Sequence, residues 1–247
     1  MAKGKNRIWL LDELRGLAVV GMVIYHAAYD LWALFGVDFP LFSPPLSWLQ
    51  LYVCCSFIII SGVSCRLSRS NFKRGALTFG VGLLMTAGTL IFMPSQTIWF
   101  GILHFLGCSM MLYALIGPAV ERIPPLLGGA LFLAAFLCLH GIDGGTVLFG
   151  TVALPVWLYR YAWLAPLGFP GGGFTSADYF PLLPWFLLFL CGASLGWYFK
   201  ERRLPAFCLK RHSRFLAGVG QNALIIYIVH QPVVYGVLWL VFKYIIK

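Results

Sequence analysis

Arg15, His26 and Asp30 fall in one otherwise apolar stretch, Asp12-Glu-Leu-Arg15-Gly-Leu-Ala-Val-Val-Gly-Met-Val-Ile-Tyr-His26-Ala-Ala-Tyr-Asp30. An α-helix turns about 100° per residue, so the eleven steps from Arg15 to His26 return to within roughly 20° of the same face and rise about 16 Å. A guanidinium and an imidazole would then line one stripe of a single helix. Asp30, four residues after His26, shares that face. A carboxylate there can hold one imidazole nitrogen and raise the basicity of the other, as a histidine general base requires. Alternatively, Asp30 ends the helix at a water interface. Asp12 stands three residues before Arg15 and can pair with it, either as an interfacial salt bridge or to orient Arg15 towards an anionic group. Glu13 points elsewhere.

Further polar groups interrupt apolar runs. His104 lies in Phe100-Gly-Ile-Leu-His104-Phe-Leu-Gly107, where glycines 101 and 107 permit close approach of another helix or a ligand. Its role is either catalytic or a helix–helix hydrogen bond. Asn222, His230 and Gln231 are too polar for a lipid-facing surface and line a tunnel or bond between helices, and Pro232 is expected to kink their helix. Asp178 and Trp185, in Phe174-Thr-Ser-Ala-Asp178-Tyr-Phe-Pro-Leu-Leu-Pro-Trp185, pair a carboxylate with aromatic faces. That combination suits a polyhydroxylated molecule, and equally an interfacial aromatic belt. No metal motif, phosphate-binding loop or nucleophile elbow is present.

The elements that must hold these residues are membrane helices. Of 247 residues, 60% are hydrophobic and 11% charged, against about a quarter charged in soluble proteins. Seven spans are expected, at 8–29, 47–67, 73–93, 98–120, 124–140, 182–199 and 215–242. The segment 151–169 is apolar but broken by Pro155, Arg160 and Pro166, and reads as re-entrant or interfacial; counting it would make eight. With the N-terminus inside, fourteen basic residues are cytoplasmic: Lys3, Lys5, Arg7, Arg66, Arg69, Lys73, Arg74, Arg122, Lys200, Arg202, Arg203, Lys210, Arg211 and Arg214. Three, Arg160, Lys243 and Lys247, are outside. The positive-inside rule favours that orientation, with the C-terminus outside, and explains the net charge of +10 without nucleic acid. Of the seven cysteines, Cys54, Cys55, Cys108, Cys138 and Cys191 lie inside apolar runs and read as small buried hydrophobes. The expected fold is an all-α polytopic helix bundle forming one domain over 1–247, with the first helix retained rather than cleaved.

The run Leu14-Arg15-Gly-Leu-Ala to Tyr25-His26 resembles the Arg-x10-His signature of multi-span transmembrane acyltransferases. Tyr29-Asp30-Leu, Ser61-Gly-Val-Ser64, the His104 block and Gly220-x-Asn222-x4-Tyr227-x2-His230 are similar to one branch, the bacterial proteins akin to the catalytic domain of heparan-α-glucosaminide N-acetyltransferase. The resemblance implies transfer of an acyl group, commonly acetyl, from cytoplasmic acyl-CoA to a hydroxyl or amine of an extracytoplasmic sugar or glycan. It implies an inner-membrane location, with acyl-CoA, the glycan and the bilayer as partners; a homodimer is compatible with it. On this chain it makes His26 the catalytic base oriented by Asp30, with His104 as second choice. Arg15, with Asp12, would stand near the thioester arm, and Asn222 and His230 beside it. Arg66, Arg69, Arg202 and Arg203 would take the CoA phosphates, and Asp178 and Trp185 the acceptor. The catalytic histidine of the lysosomal branch follows its first core helix, whereas residues 31–48 here contain none. Transient acylation of His26 is the two-step alternative. A small transporter using His26, Asp30, His104 and His230 as a proton relay is the non-enzyme alternative, against which stands the lack of an internal repeat.

Overall fold

The computed structural model describes residues 7–245, so Lys3, Lys5 and Lys247 of the loop-charge pattern lie outside the described residues. Eight helices follow in order: α1 (Trp9–Ala33), α2 (Pro44–Leu67), α3 (Asn71–Phe92), α4 (Ile102–Val120), α5 (Pro125–Leu139), α6 (Leu182–Lys200), α7 (Arg214–Gln221) and α8 (Ala223–Tyr244). All but α7 belong to segments long and apolar enough to cross a bilayer, giving the seven spans of a multi-pass membrane protein. Pro44 and Pro125 open α2 and α5, where a missing backbone N–H costs nothing.

Three boundaries differ from the sequence reading. The last apolar run is two helices rather than one. Asn222 stands between them at φ −105°, ψ 17°, and its side-chain amide donates to the Gly218 carbonyl at 2.9 Å. Glycines 218 and 220 weaken the helix here, and the asparagine side chain competes for a backbone acceptor. Asn222 is therefore an exposed junction, not an interior residue of a span. Second, α1 continues past Asp30 to Ala33, so Asp30 does not end it. Third, α4 starts at Ile102, which puts His104 in its first turn. The segment 151–169 forms no spanning helix. It holds one strand of a two-residue hairpin, β1 (Thr146–Val147) against β2 (Val152–Ala153), and the 3-10 turns Val156–Tyr159 and Ala162–Leu167.

The chain forms two compact units, Met1–Ile60 with Leu204–Lys247, and Ser61–Arg203. Burial drives helix association weakly in lipid, where tails are as apolar as leucine, so close packing at small residues carries more of it. In the first unit α7 lies backbone to backbone on the start of α1. A Cβ on Gly16 would collide with the Leu216 carbonyl, and one on Gly220 with the Asp12 carbonyl. Further along, Gly21 admits Val53 and Leu49 of α2. Val19, Met22 and Val53 form the core there, with Phe57, Val219, Ile226 and Tyr227 around them. In the second unit α3 and α4 meet at Gly75 and Gly107, where an added Cβ would lie 2.7 Å from the Gly107 carbonyl and 2.6 Å from the Phe79 nitrogen, respectively. Gly62 and Gly196 do the same between the end of α2 and α6.

Candidate active site

The polar residues of α1 and α8 meet in the first unit. The rings of His26 and His230 lie 4.9 Å apart between centroids. One turn further along α1, Gln231 Nε2 donates to Asp30 Oδ1 at 2.7 Å. Asp30 is wholly buried and His230 is 7% exposed. The Tyr227 carbonyl, 2.7 Å from His230 Nδ1, can only accept, so Nδ1 carries the proton of the neutral ring. His230 Nε2 is then a buried lone pair with no partner among the described residues. A backbone carbonyl fixing the tautomer of one nitrogen and leaving the other basic is the orientation a general base needs. The expected His26–Asp30 dyad does not form: Asp30 Oδ1 is bonded to Gln231, and Oδ2 has no partner among the described residues. The carboxylate and the imidazole share a helix face, but each faces a residue of α8.

At the other end of α1, Asp12 is buried and accepts from Arg7 Nε and, at 3.2 Å, from Arg15 Nη1. Glu13 accepts from the amides of His212 at 2.6 Å and Ser213 at 2.8 Å, holding the chain at the entry to α7, where Ser213 Oγ caps Leu216 N at 3.1 Å. Arg7 and Arg211 lie over Trp9, their guanidinium carbons 5.7 and 5.0 Å from the ring centroid. Because α1 is unbroken from Trp9 to Ala33, Arg15 and His26 keep the helical interval of about 16 Å.

The second unit holds the remaining candidates. His104 is 2% exposed and stacks on Phe100, with Phe79 edge-on. The Thr86 hydroxyl donates to the Ile98 carbonyl at 2.6 Å, so its oxygen accepts from His104 Nε2 at 3.3 Å and Nδ1 is left as a lone pair without a partner among the described residues. Asp178 Oδ2 accepts from Ile102 N at 2.9 Å and presses on Gly101, so this loop carboxylate caps α4 two residues before His104. Burial pushes the Asp178 carboxyl up to about 6, against the opposing pull of the Ile102 amide. Trp185 packs among Phe136, His140 and Phe180. Arg66 is buried and ion-paired to Glu121 at 3.5 Å, with Lys200 3.9 Å from the same carboxylate, so Arg66 is engaged inside the protein. Arg69, Arg202 and Arg203 are exposed, and Arg203 lies 5.0 Å over Trp197.

With this geometry in hand, the comparison with known families is decisive. The catalytic-domain model of heparan-alpha-glucosaminide N-acetyltransferase matches residues 7–232. The chain belongs to that family. No curated protein and no solved structure matches it. The protein is thus a multi-pass membrane protein of an acetyltransferase family, and the match covers every residue of both polar contacts between α1 and α8. In the sequence His26, Asp30, His230 and Gln231 stand out as polar groups in apolar runs, but their pairing across α1 and α8 does not. Tyr227 was legible in principle, being one turn before His230. Nothing in the sequence signals Thr86 as the partner of His104.

Proposed function

We propose that the chain moves an acyl group, acetyl in the ordinary case, from cytoplasmic acyl-CoA to a hydroxyl or amine of an extracytoplasmic sugar or glycan, at the α1–α8 contact. The observation that carries this reading is the contact of half-buried His26 with buried His230, in which the Tyr227 carbonyl leaves His230 Nε2 as a free base. In the proposed reaction the acceptor hydroxyl or amine attacks the thioester carbonyl while His230 Nε2 takes its proton. The new C–O or C–N bond forms, the C–S bond breaks, and the imidazolium returns the proton to the CoA thiolate. His26, its ring 4.9 Å away, packs against the His230 imidazole and holds it in place. Arg15, about 16 Å along α1, is the cation on the donor side of that contact.

Orientation follows from the loop charges, with the N-terminus in the cytoplasm and the C-terminus outside the inner membrane. The test is transfer of radiolabel from acetyl-CoA to a panel of sugars by purified protein in proteoliposomes. His26→Ala and His230→Ala should each lower kcat by at least a hundredfold, with melting temperature and oligomeric state unchanged. Full transfer in both variants would refute this reading.

A further inference from the structure

The proposed transfer needs one base, yet the α1–α8 contact holds three polar atoms without a hydrogen-bond partner among the described residues. These are the buried His230 Nε2, Asp30 Oδ2 and Gln231 Oε1. Their roles follow from their other atoms. Tyr227 takes the proton on His230 Nδ1, and Gln231 donates Nε2 to Asp30 Oδ1, so His230 Nε2 and Gln231 Oε1 accept, and so does Asp30 Oδ2 when the carboxyl is ionised. Asp30 is 0% exposed and has no ion pair among the described residues. A single hydrogen bond does not offset burial of a carboxylate, so the ionised form calls for a further donor. His26 and Asp30 stand one turn apart on α1, and their partners His230 and Gln231 are consecutive on α8, so the surplus acceptors run along one seam about 6 Å long.

We propose that Asp30 and Gln231 form a second subsite, which positions the acyl acceptor by a hydroxyl or amine neighbouring the one that reacts. The inference rests on the acyl-transfer reading and narrows it. Three acceptors without a matching donor select a molecule rich in hydrogen-bond donors, one that presents a reacting group to His230 Nε2 and a second to Asp30 Oδ2 and Gln231 Oε1. An acceptor with a single hydroxyl leaves the second subsite unpaired, and sites built to bond a hydroxyl strongly reject analogues that lack it.

The experiment is isothermal titration of the full chain in detergent with a methyl hexopyranoside and its complete set of monodeoxy and monofluoro analogues. One non-reacting position should show a loss of affinity of about tenfold to a hundredfold for both analogues, because fluorine accepts but does not donate. Asp30→Asn, which can turn an amide N–H towards the ligand, should reduce that preference to about threefold or less. Gln231→Met should reduce it at the same position, and serves should Asp30→Asn fail to fold. Equal affinity for every analogue, or the same preference in wild type and both variants, would overturn the subsite. Position-selective binding without acetyl transfer would leave the subsite standing and remove the catalytic reading instead.

Discussion

Asp178→Asn separates a capping role from a substrate-binding role. Two opposing effects act on this carboxylate. Its position at the first amide of α4 favours the charge, by about 0.3–1 kcal/mol for a helix terminus. Desolvation disfavours it, and wins, since the pKa rises from 3.8 to about 6. At pH 3 the carboxyl is neutral in both the folded and unfolded chains and its contribution is at its most favourable. Between pH 3.8 and 6 the unfolded chain ionises while the folded one does not, so stability falls, and above pH 6 the loss is complete. The shift of about 2.2 units corresponds to at most about 3 kcal/mol, less in proportion to the carboxylate's residual contact with water. Asparagine keeps an oxygen for the Ile102 amide and never ionises. The variant should therefore melt near the wild-type temperature at pH 4 and several degrees above it at pH 8, with the difference developing between about pH 4 and pH 6. Melting curves in nanodiscs from pH 4 to 8 measure this, and the acceptor KM should not change. A variant less stable by the same amount at every pH would refute the desolvation argument. A large rise in acceptor KM would restore Asp178 to the binding site.

Four further outcomes follow from the helix packing and the buried polar contacts. Gly16→Val forces α1 and α7 apart against backbone atoms and should lower the melting temperature sharply; Gly80→Ala in α3, whose added Cβ meets nothing within 4 Å, should raise stability by up to about 1 kcal/mol. Glu121→Gln leaves the buried Arg66 guanidinium poorly compensated and should cost about 2 kcal/mol in thermal or denaturant unfolding, while adding Arg66→Met should recover most of that loss. Thr86→Val removes the acceptor that holds His104 in its Nε2–H form, which should redistribute the tautomers in nitrogen NMR and cost about 1–3 kcal/mol.

Run length made the seven spans legible, because a bilayer demands about 20 apolar residues. Pro155, Arg160 and Pro166 disfavoured a span at 151–169 but left an eighth one open. The Arg15–His26 interval was legible because α1 is unbroken. Partnerships between distant residues were not. Asp30 and His26 satisfy the i,i+4 rule, yet Asp30 bonds Gln231, 201 residues away, since periodicity defines a face and not what lies opposite. Arg66 and Arg69 read alike as loop-end cations, but only Arg66 meets a glutamate and is buried. Asp178 looked like a loop carboxylate because its helix starts 76 residues earlier in the chain. The break at Asn222 was marked by Gly218 and Gly220, but the long apolar run around it masked the signal.

That break has a mechanical consequence for the site. Beside Gly16, α7 lies in backbone contact with α1, a separation that leaves no room for side chains between the helices. Beside His26, α8 must stand far enough from α1 to seat two imidazole rings at 4.9 Å. Only ten residues separate Gly220 from His230. The junction at Asn222 lets the backbone change direction between the two contacts, so the glycine contact anchors the register of α1 against the last segment without closing the space the histidines need. Glu13 reinforces that anchor by binding the amides that lead into α7. The Arg15–Gly16 dipeptide and the Gly220-x-Asn222 motif thus act together. The first supplies a cation and the surface that fixes α7. The second supplies the matching surface and the turn that sets His230 and Gln231 against His26 and Asp30.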